Sequence, residues 1–172
     1  MGQCEISSAI SIVEIDPEEA CGIHDLLRRL SSSDELGFPK VALRHYWAIW
    51  SVEKIKREAR SKQSVFLVAR RQEEPVGLLL GTAPEGGVGS IIWLLVVPQL
   101  RSQGIGSRLF LQACESYHKL GCHKVKLTVP GKCAVTFYEK QGMKAEGIHR
   151  DHWWHMDFWS MAMLLDKKQR RR

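Results

Sequence analysis

Apolar positions along this chain switch between a period of two and a helical period, in the order strand, two helices, three strands, helix, strand, helix, two strands. Residues 9–15 alternate as an opening strand. Asp16-Pro17 then starts a helix, with Glu18 and Glu19 in its first turn and Leu26, Leu27 and Leu30 as its apolar stripe. Residues 31–39 read as a loop, followed by one helical region over roughly 40–60 that gathers Val41, Tyr46, Trp47 and Trp50. Strands are predicted over 64–70 and 75–83, joined by the polar turn at Arg71 to Glu74, and a third over 88–97 after Gly86-Gly87. A helix over 106–120 carries Leu109, Ala113 and Tyr117 on one stripe, and Gly121 ends it. Val125, Leu127 and Val129 share one face of a strand over 124–129. A helix around Tyr138, a strand from Met143 and a last strand near 158–165 complete an α/β (α+β) chain whose mixed sheet is covered by helices.

Composition narrows the class. The 172 residues suffice for one domain with a sizeable core, assigned to residues 1–166, with a basic tail at 167–172. The tail, KKQRRR, carries five of the six net positive charges and leaves the first 166 residues at +1. A nucleic-acid face on the folded body is therefore not expected, and any attraction to RNA or ribosomes would be weak and act through the tail. No apolar run reaches the roughly 18 residues of a membrane helix, and no secretory leader is apparent. Met1-Gly2-Gln3-Cys4 fits a myristoylation start only in part, because Ile6 stands where Ser or Thr is required. The five cysteines form no C-x-x-C pair, which fits reduced thiols and a cytoplasmic location. Cys133 falls beside the candidate site below, where its modification would block binding.

The chemistry concentrates in residues 91–110, IIWLLVVPQLRSQGIGSRLF. An apolar strand runs into a turn on Gly104 and Gly106 and then into an amphipathic helix. Glycines let a backbone wrap closely around a ligand, and the free amides of a helix start favour a phosphate there. Arg101 and Arg108 flank the turn with positive charge. A dinucleotide fingerprint needs a third glycine where Leu109 stands, and no segment supplies the nucleotide P-loop. What is present is R-x-x-G-x-G over 101–106, followed downstream by Ala134-Val135-Thr136-Phe137-Tyr138-Glu139-Lys140-Gln141-Gly142-Met143.

Both blocks, in this order and spacing, resemble the GNAT superfamily of N-acetyltransferases: the first its coenzyme A diphosphate loop, the second its A-x-x-x-Y-E-K-x-G-F signature. The resemblance implies the GNAT fold, a mixed central sheet of about seven strands flanked by about four helices. It implies acetyl-CoA as cosubstrate, held by Arg101, Ser102, Gln103, Gly104, Ile105, Gly106 and Ser107. Strands ending at Val97 and beginning near Lys124 are expected to splay, leaving backbone groups of Leu94, Leu95 and Val96 to a pantetheine arm. Tyr138 falls at the cofactor-contacting position from which a phenol protonates the departing thiolate. The implied reaction is direct attack of a primary amine on the acetyl thioester through a tetrahedral intermediate. The acceptor is either a protein or peptide amine or a small-molecule amine, and a homodimer is left open.

Two departures from the pattern matter. Gly131 stands where many members carry an Asn that contacts the cofactor, and Thr128 where ribosomal-protein-type enzymes often carry a basic Glu. A missing base is less costly for an α-amine, of pKa about 8, than for a lysine amine, of pKa about 10.4. The segment IHRDHWWHMDFWS offers His149, His152, His155 and Asp157 as proton acceptors. Its His152, Trp153, Trp154 and His155, with Trp47, are the candidate acceptor-pocket residues. An irregular connection is expected there, so no metal site is assigned to the three histidines. The alternative to an enzyme is an acyl-CoA-binding interaction or sensing module with impaired catalysis.

Overall fold

The computed structural model describes residues 9–32 and 36–165. The Met1-Gly2-Gln3-Cys4 start and the basic run 167–172 lie outside the described residues. The first strand, β1, spans Ile10–Glu14. Asp16 Oδ1 then accepts the Glu18 N–H at 2.8 Å, opening a 3-10 turn at Pro17–Glu19 that continues as helix α1, Ala20–Ser31. Leu26, Leu27 and Leu30 are all buried on its inner face.

The single helical region expected over 40–60 is two helices, α2 at Lys40–Ile49 and α3 at Val52–Ser61. Trp50 leaves helical geometry at φ −94° and ψ 49°, and Ser51 starts the new helix by accepting the Lys54 N–H at 3.4 Å. This break turns the Trp50 ring onto Phe66, with centroids 5.9 Å apart, beneath the Lys54 ammonium. Five helices therefore flank the sheet among the described residues, rather than about four.

Strands β2 (Val65–Arg71), β3 (Glu74–Glu85) and β4 (Val88–Val96) follow as a meander. Helix α4, Ile105–Lys119, crosses to β5, Lys124–Val129. Helix α5 (Lys132–Lys140) and strands β6 (Lys144–His149) and β7 (Phe158–Leu164) close the chain. The strands form one sheet in the order β1-β2-β3-β4-β5-β7-β6, antiparallel except where β4 meets β5. One core packs α4 and α5 on the first face of this sheet, and α1 to α3 cover β2 to β4 on the other.

Two irregularities in β4 shape the centre of the molecule. Trp93 opposes Leu80 and Ile91 opposes Gly81, so Ile92 is an extra residue in a β-bulge. The bulge resets the alternation: Ile91 packs in the α4 core, whereas Trp93 and Leu95 join the α1 core. The second irregularity is the splay. β4 and β5 pair only at Val88, Gly89 and Ser90 against Lys124, Val125 and Lys126, and they separate beyond that point.

Candidate functional site

The turn before α4 is set by backbone geometry. Gly104 sits at φ +80°, in the left-handed region that glycine enters at little cost, and a Cβ there would meet nothing within 4 Å. Ile105 is buried and anchors the first turn, while the Gly104 carbonyl accepts the Arg108 N–H at 3.0 Å. The N–H groups of Ile105, Gly106 and Ser107 precede the first intrahelical bond and point out of the helix start. A Cβ on Gly106 would lie 3.4 Å from both Leu94 Cδ2 and Phe137 Cζ. The end of β4, the glycine turn and α5 thus converge on one point.

The two arginines part company. Arg101 folds back to donate from Nε to the Val96 carbonyl at 3.1 Å, tying the turn to the end of β4. Arg108 instead donates to the Ile10 carbonyl at 2.8 Å, which removes it from the expected flank and spends it on the β1 edge. Ser102 is also left-handed, at φ 60°, and Gln103 donates weakly to the Gln99 carbonyl at 3.4 Å.

In the gap, strand alternation decides which groups are offered. The Val97 N–H bonds Val76 at 2.9 Å, so the N–H and C=O of Leu95 also turn to β3, opposite Leu78. Those of Leu94 and Val96 face the opening toward β5, where the Val96 carbonyl already accepts from Arg101. Leu95 belongs to the same strand segment but its backbone is already spent on the ladder, which corrects its expected role as a backbone contact. A ligand that joins an amide-bearing arm to a diphosphate fits this arrangement: the arm completes the open strand edge, and the diphosphate meets the α4 amides.

Tyr138 lies on α5 next to Phe137, whose ring borders Gly106, and is only 7 % exposed. Its ring stands edge-on to Phe110 at 5.7 Å and to Phe137 at 4.9 Å. No hydrogen bond to its hydroxyl is found among the described residues. Burial pushes its phenol pKa well above the ordinary value of 10.0, so the proton is held at neutral pH.

On the other face of the sheet, aromatic rings from five segments meet. Tyr46 of α2 stands 5.5 Å from Trp93 of β4, and Phe38 lies 5.7 Å from Tyr46 and 6.1 Å from Trp93. Phe158 of β7 closes on Phe38 at 6.2 Å, and Trp154 reaches His45 at 5.4 Å. Burial raises the Tyr46 phenol, partly offset by hydrogen bonding from Trp154. Trp47 does not join this group: its indole N–H donates to Ser31 Oγ at 2.9 Å and Arg28 stacks over it, so α1 holds it. Phe38, Trp93 and Phe158 were not expected as site residues. Only the adjacency of Tyr46 and Trp47 hinted at α2, and periodicity could not say which of the two turns inward.

The β6–β7 connection is irregular, with Asp151, Trp154 and His155 all at positive φ. Asp157 stitches it together, accepting from Arg150 at 2.6 Å and from the Asp151 N–H at 2.9 Å, and these bonds hold its carboxyl below the ordinary range. His155 points into solvent and pairs with Asp151 at 3.0 Å. His152 stacks between His149 at 5.0 Å and Trp153 at 4.4 Å, and Trp153 itself is about half exposed. His149 Nε2 lies 2.7 Å from Ser160 Oγ. His149 and His152 thus stack on one another, while His155 turns away to Asp151.

A family model described as "Acetyltransferase (GNAT) family" matches residues 24–143. An acetyltransferase of Photorhabdus laumondii is 31 % identical over 97 residues, 56 % of this chain and 67 % of that protein. A glucosamine 6-phosphate N-acetyltransferase of Trypanosoma brucei brucei is 35 % identical over 82 residues, covering 42 % of this chain and 55 % of its own length. The crystal structure of a PaiA N-acetyltransferase from Thermoplasma acidophilum in complex with coenzyme A superposes with a TM-score of 0.76 at 20 % identity, covering 91 % of this chain and 99 % of that one. At that identity the likeness establishes the fold.

Proposed function

The chain belongs to the GNAT acetyltransferase family, with acetyl-CoA as cosubstrate, and on that premise we propose that it acetylates a primary amine by direct attack. The observation that carries this is the meeting of Gly106 with Leu94 and with Phe137 of α5, beside the strand edge that β5 leaves open, with Tyr138 next along α5. The thioester supplies an activated acetyl carbon. The amine nitrogen forms the new C–N bond there as the C–S bond breaks, and Tyr138 protonates the departing sulfur. Meanwhile the attacking nitrogen must shed a proton.

The residue assigned to accept that proton is His149, exposed on β6. Asp157 is committed to Arg150 and the Asp151 N–H, and His155 faces solvent. His149 instead pairs with Ser160, which lies opposite Thr128 in the β5–β7 ladder, beside the stretch where β5 has left β4. In this reading the Ser160–His149 pair takes the place of the absent glutamate, with Thr128 opposite Ser160 in the ladder. His149→Gln is expected to lower kcat/KM while coenzyme A still binds. An unaltered kcat/KM would discard His149 as the acceptor.

The function itself is tested by titration calorimetry with coenzyme A, followed by thiol release on adding amines to acetyl-CoA. Gly106→Glu places a carboxylate among the amides while remaining favourable at a helix start, so it is expected to weaken coenzyme A binding at least about tenfold, the loss of about one charge-assisted hydrogen bond. No binding to the parent chain would sink the proposal. Tight binding without thiol release from any amine would favour the sensing module instead.

A further inference from the structure

The ring cluster opposite the cofactor turn contains a group the reaction so far leaves unused. Trp93 is 7 % exposed, and its indole N–H is buried without a hydrogen-bond partner among the described residues. A buried donor is costly to leave unpaired, and the neighbouring Tyr46 and Phe38 rings stand edge-on to it at 5.5 and 6.1 Å, offering at most weak π acceptors. The bulge at Ile92 is what turns this side chain to the acceptor side of the sheet, one residue before Leu94 opens its backbone to the gap.

The walls around it favour a flat apolar group. Phe38, Tyr46, Trp154 and Phe158 contribute ring faces or edges, and His152 stands edge-on to Phe158 at the rim. Of the carboxylates of the adjoining loop, Asp157 is paired with Arg150, and Asp151 lies in solvent beside His155, outside the ring cluster. A second ammonium, as in a polyamine, finds no unspent carboxylate among the described residues of this box.

We propose that the box selects the α-amine of an aromatic amino-acyl unit. The aromatic side chain enters between Phe38, Tyr46 and Phe158, and the acyl carbonyl accepts from the Trp93 indole N–H. The α-amine is thereby directed at the gap. Rotation of the Tyr46 or Phe38 side chain uncovers the indole for this bond. The inference rests on acetyl transfer to an amine at this site and adds the class of amine.

Thiol release from acetyl-CoA is measured with L-phenylalaninamide, a peptide beginning with Phe, phenethylamine, L-alaninamide and spermidine. L-phenylalaninamide or the peptide is expected to exceed L-alaninamide and spermidine at least about tenfold in kcat/KM. Which of the two leads distinguishes a free amino-acid derivative from a polypeptide end. Spermidine or L-alaninamide matching them overturns the proposal. Trp93→Phe keeps a ring and removes the N–H, so the preference for L-phenylalaninamide over phenethylamine, which lacks the carbonyl, is expected to shrink about fivefold. Coenzyme A titration confirms that the variant is folded, and an unchanged preference overturns the assigned role of the indole. Coenzyme A binding with no release from any of the five amines instead defeats the acetyl-transfer premise itself, and the acceptor class falls with it.

Discussion

Tyr138→Phe is expected to lower kcat by about a hundredfold, the lower range for loss of a positioned general acid, while the variant still binds acetyl-CoA. The substitution removes one oxygen and keeps the ring that packs against Phe110 and Phe137. The hydroxyl has no hydrogen-bond partner to orphan among the described residues, so the fold should hardly register its loss. Its function is to keep a proton available in an apolar wall. Burial raises the pKa above 10.0, which favours the neutral phenol through the neutral and mildly alkaline range. The linkage sign follows: above pH 10 the unfolded chain releases this proton and the folded chain retains it, so the contribution to stability declines only as pH rises beyond the ordinary phenol range. For the same reason the parent's kcat profile should show no alkaline decline from Tyr138 near pH 10. Single-turnover thiol release separates the chemical step from binding, and an unchanged rate in the variant would remove Tyr138 from the mechanism.

Gly89→Ala is expected to destabilise the fold by about 3 kcal/mol, the upper end for overpacking, and to lower Tm by about 10 °C. Tyr117 of α4 is fully buried, and its hydroxyl proton is shared between the carbonyls of Thr82 and Ser90, each 2.9 Å away. It reaches them by lying across Gly81 of β3 and Gly89 of β4. A Cβ on Gly89 would overlap the Tyr117 ring, and one on Gly81 would overlap the hydroxyl. Neither can be relieved by a flexible side-chain end, because the ring is locked by its two carbonyls. Gly22, within α1, provides the contrast: a Cβ there meets nothing within 4 Å, and Ala in a helix is favoured over Gly by about 1 kcal/mol, so Gly22→Ala should raise Tm. Thermal melts of the two variants beside the parent decide the matter. A Gly89→Ala melt coincident with the parent would mean that Tyr117 does not lie where it is placed here.

Sequence periodicity carried most of the architecture because each stripe needs only local information. Leu109, Ala113 and Tyr117 repeat at the helical period, and Val125, Leu127 and Val129 alternate; all six are buried. The break at Trp50 was not legible, because Val41 to Arg60 contains neither proline nor glycine and Ser51 reads as an ordinary helix residue until Trp50 is seen to need Phe66. The fate of Arg108 was hidden for the same reason: its partner, Ile10, is 98 residues away. Trp93 was hidden by a bulge. Within IIWLLVV every residue is apolar, so nothing local marks Ile92 as the extra residue that sends Trp93 to the opposite side from Ile91.

The amino-acid order alone determined most of the elements, the glycine turn at Gly104 and Gly106 and the phenol on α5, since each follows from backbone sterics, periodicity or the chemistry of one side chain. Tertiary structure decided which groups those elements leave unspent. Leu94 and Val96 face the gap and Leu95 does not; Asp157 is consumed by Arg150 while His149 holds Ser160; Trp47 is held by α1 while Tyr46 joins Trp93. The reason is that a hydrogen bond or ring contact between residues distant in sequence depends on the register and tilt of whole strands and helices, and no local pattern encodes either.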